Sequence, residues 1–185
     1  MLFGALATAC FAVATVLLAR LHLLPTGMRP VPDAVSDFGT TRFHAHYRAM
    51  VVALGAGAIL LAIGLARETD ARDLVWLWVY GASRIAIAAF MTDPPGREPT
   101  TNGRIHWLLA AIAFTAIAFG ASNIDWSGAP GSLRVVGYAV AATAIATALT
   151  RMLPSLRSVF GLAERLLYAT TIAWLAIAAV ELLSA

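Results

Sequence analysis

Lysine is absent from this chain, cysteine occurs once, and only 12% of the residues are charged. Each shortage excludes something. A soluble domain carries roughly a quarter of its residues as charge. Charge of 12% beside 60% hydrophobic residues, with a mean hydropathy of +0.79, therefore places the chain in a bilayer rather than in water. The single Cys10 permits no internal disulfide, so nothing about a redox compartment can be read. Without lysine, every fixed positive charge is a guanidinium, whose planar fork suits phosphate and carboxylate partners. No glycine loop of the phosphate-cradling kind occurs. Arginines flanking apolar runs fit lipid headgroups, not nucleic acid.

What is present is apolar length. Six runs, at residues 2–24, 44–66, 74–92, 105–122, 133–153 and 160–183, approach the roughly 20 helical residues that cross a bilayer. They consume most of the chain, which predicts one all-α integral membrane bundle of six transmembrane helices over residues 1–185. The lipid bilayer is its first partner. The N-terminal run is read as a span and not as a cleaved leader, because Met1-Leu2-Phe3 lacks a positive n-region. Ala7 stands where a lipoprotein signal before Cys10 would want leucine. Pro25, Gly27, Pro30 and Pro32 predict a loop after the first span. Gly55, Gly57 and Gly64 give the second a smooth face for close packing. Trp76, Trp78, Asp125 and Glu181 read as interfacial residues.

Six alternating spans put both termini on one face. The opposite face gathers Arg20, Arg29, Arg42, Arg48, Arg97, Arg104, Arg151, Arg157 and Arg165, against only Arg67, Arg72 and Arg134 on the terminal face. Arginine excess in short loops marks the cytoplasmic side, which predicts a cell-membrane protein with extracytoplasmic termini.

The polar outliers collect on the arginine-rich face. Residues 32–48 carry Ser36, Asp37, His44 and His46; residues 93–106 carry Asp93, Arg104 and His106; the sixth run opens with Glu164 and Tyr168. Arg84, in the middle of the third run, is the strongest single signal. It lies nine residues before Asp93, about 13 Å deeper along a helix. A charge facing lipid at that depth is costly, so a partner inside the bundle is expected, Glu164 first and Asp37 second. Glu164 and Tyr168, one turn apart, share a face.

Two chemistries fit this set. Arg84 and Arg104, with Glu164, Ser36 and Tyr168, are candidates to hold a lipid or other small anionic ligand. Asp37, Asp93, His44 and His106 are candidates for proton transfer. His44, His106 and Asp93 are equally a candidate ligand set for a divalent metal such as zinc, with an open position for water. No HxxxH or HExxH pair supports the metal. His44 and His46, two residues apart, cannot both face inward on a helix, and His46 is expected to face away. Ser36-Asp37 is also an ordinary turn sequence.

The chain resembles the DUF998 family of small multi-span bacterial and archaeal membrane proteins. The likeness rests on Val35-Ser36-Asp37, Phe90-Met91-Thr92-Asp93, Gly103-Arg104-Ile105-His106 and Gly161-Leu162-Ala163-Glu164-Arg165, spread over nearly the whole length. It implies a multi-span membrane protein and no particular activity. The Ser, Asp and His set at one membrane face is also similar to that of the zinc-binding ceramidase-like hydrolases, although their paired histidines on a late helix are missing here. A ligand binder, a membrane-embedded hydrolase acting on a lipid-linked substrate, and a transporter or partner subunit all remain open at the level of sequence.

Overall fold

Six helices form in the order the apolar runs predict, and the last returns to pack on the first. The computed structural model describes residues 1–94, 96–124, 126 and 129–184. Helix α1 is Leu2–Leu23, α2 His44–Leu65, α3 Ala71–Ile87, α4 Thr101–Asn123, α5 Gly131–Met152 and α6 Phe160–Ser184. Two 3-10 turns, Ser36–Thr40 and Pro154–Val159, interrupt the loops before α2 and α6. No strand occurs among the described residues. Asp125, expected at the interface, lies outside them.

Each helix packs on its successor, α6 closes the ring against α1, and α2 meets α6 across the middle. Backbone approaches at small residues hold the ring tight. A Cβ on Gly55 of α2 would lie 2.6 Å from the Gly81 carbonyl of α3, and one on Gly137 of α5 only 1.9 Å from the Ala121 carbonyl of α4. No side chain larger than hydrogen fits at either crossing, which is the packing device lipid favours. The two ends are fixed by particular contacts. Gly4 lies against Ala179 and Leu182, and Gly64 against Phe3 and Leu182, so both termini share one end. At the other end, here called the site end, Arg165 of α6 reaches His22 of α1.

Five helices are long and apolar enough to cross a membrane. The exception is α3, and here the expected span of 74–92 needs correction. Its 17 residues extend about 26 Å, short of the roughly 30 Å hydrocarbon core. Residues 88–94 complete the passage without helix. Arg84, expected in the middle of a long helix, therefore stands in the last turn of a short one.

Candidate functional site

Among the described residues, the buried polar and charged side chains are all in one half of the bundle. Ser83 and Arg84 sit late in α3, His106 early in α4, Thr147 and Thr150 late in α5, and Glu164 and Thr171 in the first half of α6. Each of these positions is nearer the site end. In the other half, the buried side chains of the described helices are apolar, Leu61, Leu65, Leu74 and Leu182 among them, apart from the indole N–H of Trp174, which is buried without a partner. The polar interior is thus blind: it begins at one membrane face and stops near the middle.

Arg84 is its centre, 1% exposed. Its expected carboxylate partners are not the ones it meets. The Nη2 group donates to the Tyr168 hydroxyl, and the guanidinium carbon lies 4.8 Å from that ring's centroid. Its electrostatic neighbours are three buried phenols: Tyr168 on α6, Tyr80 one turn earlier on α3, and Tyr47 near the start of α2. No described carboxylate lies within ion-pair distance of it. Among the described residues the Nε–H has no hydrogen-bond partner. Tyr168 is eight residues into α6, about 12 Å along its axis, so this cage lies well below the membrane surface.

Glu164 is buried one turn above Tyr168, but its carboxylate turns towards the loop. Oε2 accepts from the Val35 backbone N–H at 2.6 Å. That bond belongs to a strap, residues 31–40, which crosses the site end. Arg165 Nη1 donates to the Asp33 carbonyl at 2.7 Å and the Leu162 N–H to the Val31 carbonyl at 2.9 Å. The arginines flanking the apolar runs were read as suited to headgroups; Arg165 instead turns inward, because the strap offers it a carbonyl. Its Nε also donates to His22 Nε2 at 2.8 Å, which requires the His22 proton on Nδ1, where the Leu18 carbonyl accepts it at 2.8 Å. Phe38 packs edge-on to His22 and is fully buried. The strap is an ordered cover.

Within the strap, Asp37 accepts from the Ala34 N–H at 2.9 Å. Burial holds its carboxyl above the ordinary aspartate range, with Asp33 adding repulsion, against the pull of the Ala34 N–H, Arg151 and Arg165. Asp33 goes the other way. Its hydrogen bonds from the exposed Arg29, 2.9 Å at Nη2, hold it below that range.

Asp93 and His106 form a second group, where the chain past α3 meets the start of α4. The His106 ring bonds the Phe90 carbonyl at 2.8 Å through Nδ1. Phe90 lies past the end of the helix, so a side chain satisfies a carbonyl that helical bonding has released. Asp93 accepts from the Thr100 N–H at 2.8 Å and the Thr100 hydroxyl at 2.7 Å, while Thr100 caps α4 by accepting from the Gly103 N–H. A Cβ on Gly103 would fall 1.8 Å from Asp93 Oδ2, so this carboxylate lies directly on the helix start.

The four expected proton-transfer residues accordingly do not surround one point. Asp37 belongs to the strap, Asp93 to the α4 cap, His106 to the Phe90 carbonyl, and His44 is exposed, with Nδ1 on the Thr41 carbonyl. No three His, Cys, Asp or Glu side chains among the described residues are placed to hold a metal ion, so His44, His106 and Asp93 do not form a ligand set. The two neighbouring histidines also exchange roles. His46, expected to face away, is half-buried against Phe43 with Nδ1 unbonded. Arg104 is exposed and apart from Arg84, and Ser36 is half-buried at the start of the strap turn. Glu164 and Tyr168 do share a buried face.

Sequence reasoning missed Tyr47 and Tyr80. The spacing of Tyr80 and Arg84, four apart on one helix face, was the available signal. It also missed Arg151, stacked 3.6 Å over the exposed Trp107 ring. A groove at the opposite end, lined by Asn123, Pro130, Arg134 and Tyr138, adjoins residues outside the described set and belongs to none of these groups.

A family model described as "Protein of unknown function (DUF998)" matches residues 5–181. No curated protein and no solved structure matches the chain.

Proposed function

The chain belongs to the DUF998 family, whose description assigns no activity, and from its own geometry we propose that it binds a small monoanion inside the membrane. The ligand is a lipid headgroup phosphodiester or a free anion of the same kind. The observation that carries this reading is Arg84, wholly buried and, among the described residues, without a carboxylate in ion-pair contact and with its Nε–H unbonded. A guanidinium offers five N–H donors in one plane and is never neutral in a protein. Left uncompensated in a low-dielectric interior, it costs several kcal/mol. An anion seated on it removes that cost. One buried arginine matches one negative charge, and Tyr168, Tyr80 and Tyr47 add hydroxyl donors that also suit an oxyanion. The blind polar interior supports a bound ligand over a through-path. Glu164, Asp37 and His106 lie around this seat, whereas Asp93, His44, Arg104 and Ser36 stand apart from it. The arginine-rich site end faces the cytoplasm of a cell membrane, and both termini lie outside.

Arg84→Met is the test, because binding and folding predict opposite signs. An arginine retained to hold the bundle together would, on removal, lower the apparent melting temperature. An arginine retained for a ligand leaves the empty protein as stable or more so, since methionine fills similar volume without a charge. Phosphatidylglycerol carried through purification, read by native mass spectrometry, falls by on the order of tenfold or more in the variant. Unchanged lipid retention together with a destabilised protein would sink the proposal.

A further inference from the structure

We propose that the anion arrives with a proton, taken up by Glu164. This rests on the anion-binding reading above and adds the coupling of that site to pH. Glu164 is buried and shares its face of α6 with Tyr168, the phenol that holds Arg84. Arg84 and Glu164 interact electrostatically although they are not paired. In the closed bundle the buried carboxylate offsets the guanidinium only in part, because the two do not pair. A monoanion on Arg84 puts a second negative charge beside Glu164, and the repulsion grows as water is excluded. A proton on Glu164 removes that repulsion.

The other groups around Glu164 do not substitute for that proton. From the strap, Asp37 adds a further negative charge, while the Val35 N–H binds Oε2 at 2.6 Å. From α5, Arg151 is half-buried and held over the Trp107 ring. From α6 itself, Arg165 is drawn away by the Asp33 and Gly161 carbonyls and by His22 of α1. Tyr47 of α2 supplies a hydroxyl and no charge. On α4, His106 faces Arg84 and is tied to the Phe90 carbonyl. Glu164 is thus the acid next to the seat, and neither flanking arginine is free to move onto it. The same proton weakens the charge-assisted bond to the Val35 N–H, which loosens the strap over the mouth of the site.

The test titrates purified wild-type protein with dimethyl phosphate, whose charge is constant between about pH 5 and about pH 8. A parallel arm uses phosphatidylcholine nanodiscs with and without phosphatidylglycerol. Affinity should rise by up to about tenfold for each unit the pH falls, levelling once free Glu164 is protonated, with uptake of one proton per anion in weak buffer. Binding of dimethyl phosphate marks a free anion as sufficient; a response confined to phosphatidylglycerol discs marks the headgroup. Either supports the coupling if it carries the pH slope. Glu164→Gln should bind without a slope. Pronounced anion binding in the wild type with no pH dependence and no proton uptake overturns this inference and leaves the anion seat standing. A slope that survives in Glu164→Gln overturns it too. Absence of binding of either probe at every pH overturns both. Proton uptake is read on the wild type, so the result holds even where the variant fails to fold.

Discussion

Asp37 shows how far a residue's neighbours decide its chemistry. Its sequence context, Ser36-Asp37 after a proline-rich loop, marks a turn, and the turn forms. What the context does not carry is that the carboxyl is covered and held above its ordinary range by burial. A carboxyl raised on folding favours the folded state fully below about pH 4, and that contribution is lost as pH rises through the raised value. Asp37→Asn, which cannot ionise, is therefore expected to raise the apparent melting temperature near neutral pH, by on the order of 1–2 °C. The gain should vanish near pH 4; a gain independent of pH would point to packing instead. Gly161 is decided just as locally. A Cβ there would lie 2.1 Å from the Asp33 carbonyl oxygen and 2.8 Å from its carbon, backbone atoms that cannot swing aside. Gly161→Ala should displace the strap at a cost of about 1–3 kcal/mol, seen as faster tryptic cleavage at the exposed Arg42 just beyond it. Cleavage at the wild-type rate would show that the strap is not seated as described.

At the scale of elements, α3 is the departure that matters. Its apolar run is long enough for a span, but the helix ends at Ile87, and past the turn that ties Ala88, Ala89 and Phe90 back to it the chain runs without helix to Asp93. Such a segment persists inside a membrane only where its backbone groups find partners. The His106 bond to the Phe90 carbonyl is one. His106→Ala should leave that carbonyl unsatisfied, lowering stability by about 1–3 kcal/mol and speeding amide exchange over residues 88–92. Exchange unchanged there would mean the segment is held by other contacts. The early end of α3 puts Arg84 in the last turn of a short helix, yet the Tyr168 it meets lies about 12 Å along α6, close to the depth that the spacing from Asp93 predicts. Glu164 and Tyr168 were legible because they lie one turn apart within a single unbroken helix. The Tyr47 contribution was not, because it comes from another helix whose rotation no local pattern states.

For the whole molecule, the ring of six helices places both termini at one end. Reporter domains fused at the two termini should therefore report the same side, and the orientation proposed from the arginine distribution would make that side extracytoplasmic. Opposite readings for the two fusions would contradict the fold; concordant cytoplasmic readings would reverse only the orientation. The number and order of the helices, and the gathering of polar residues at one end, were determined by the sequence itself. Length and apolarity are sums over neighbouring residues, and a bilayer sorts them without reference to the rest of the chain. The tertiary structure alone decided which of those polar groups meet. Arg84 went to a tyrosine rather than a carboxylate, and Glu164 took the Val35 N–H of a strap 129 residues away. Those choices follow from how far each helix is rotated and how closely its backbone can approach the next. Crossings such as Gly55 on Gly81 set both, and they act between segments that sequence periodicity reads one at a time.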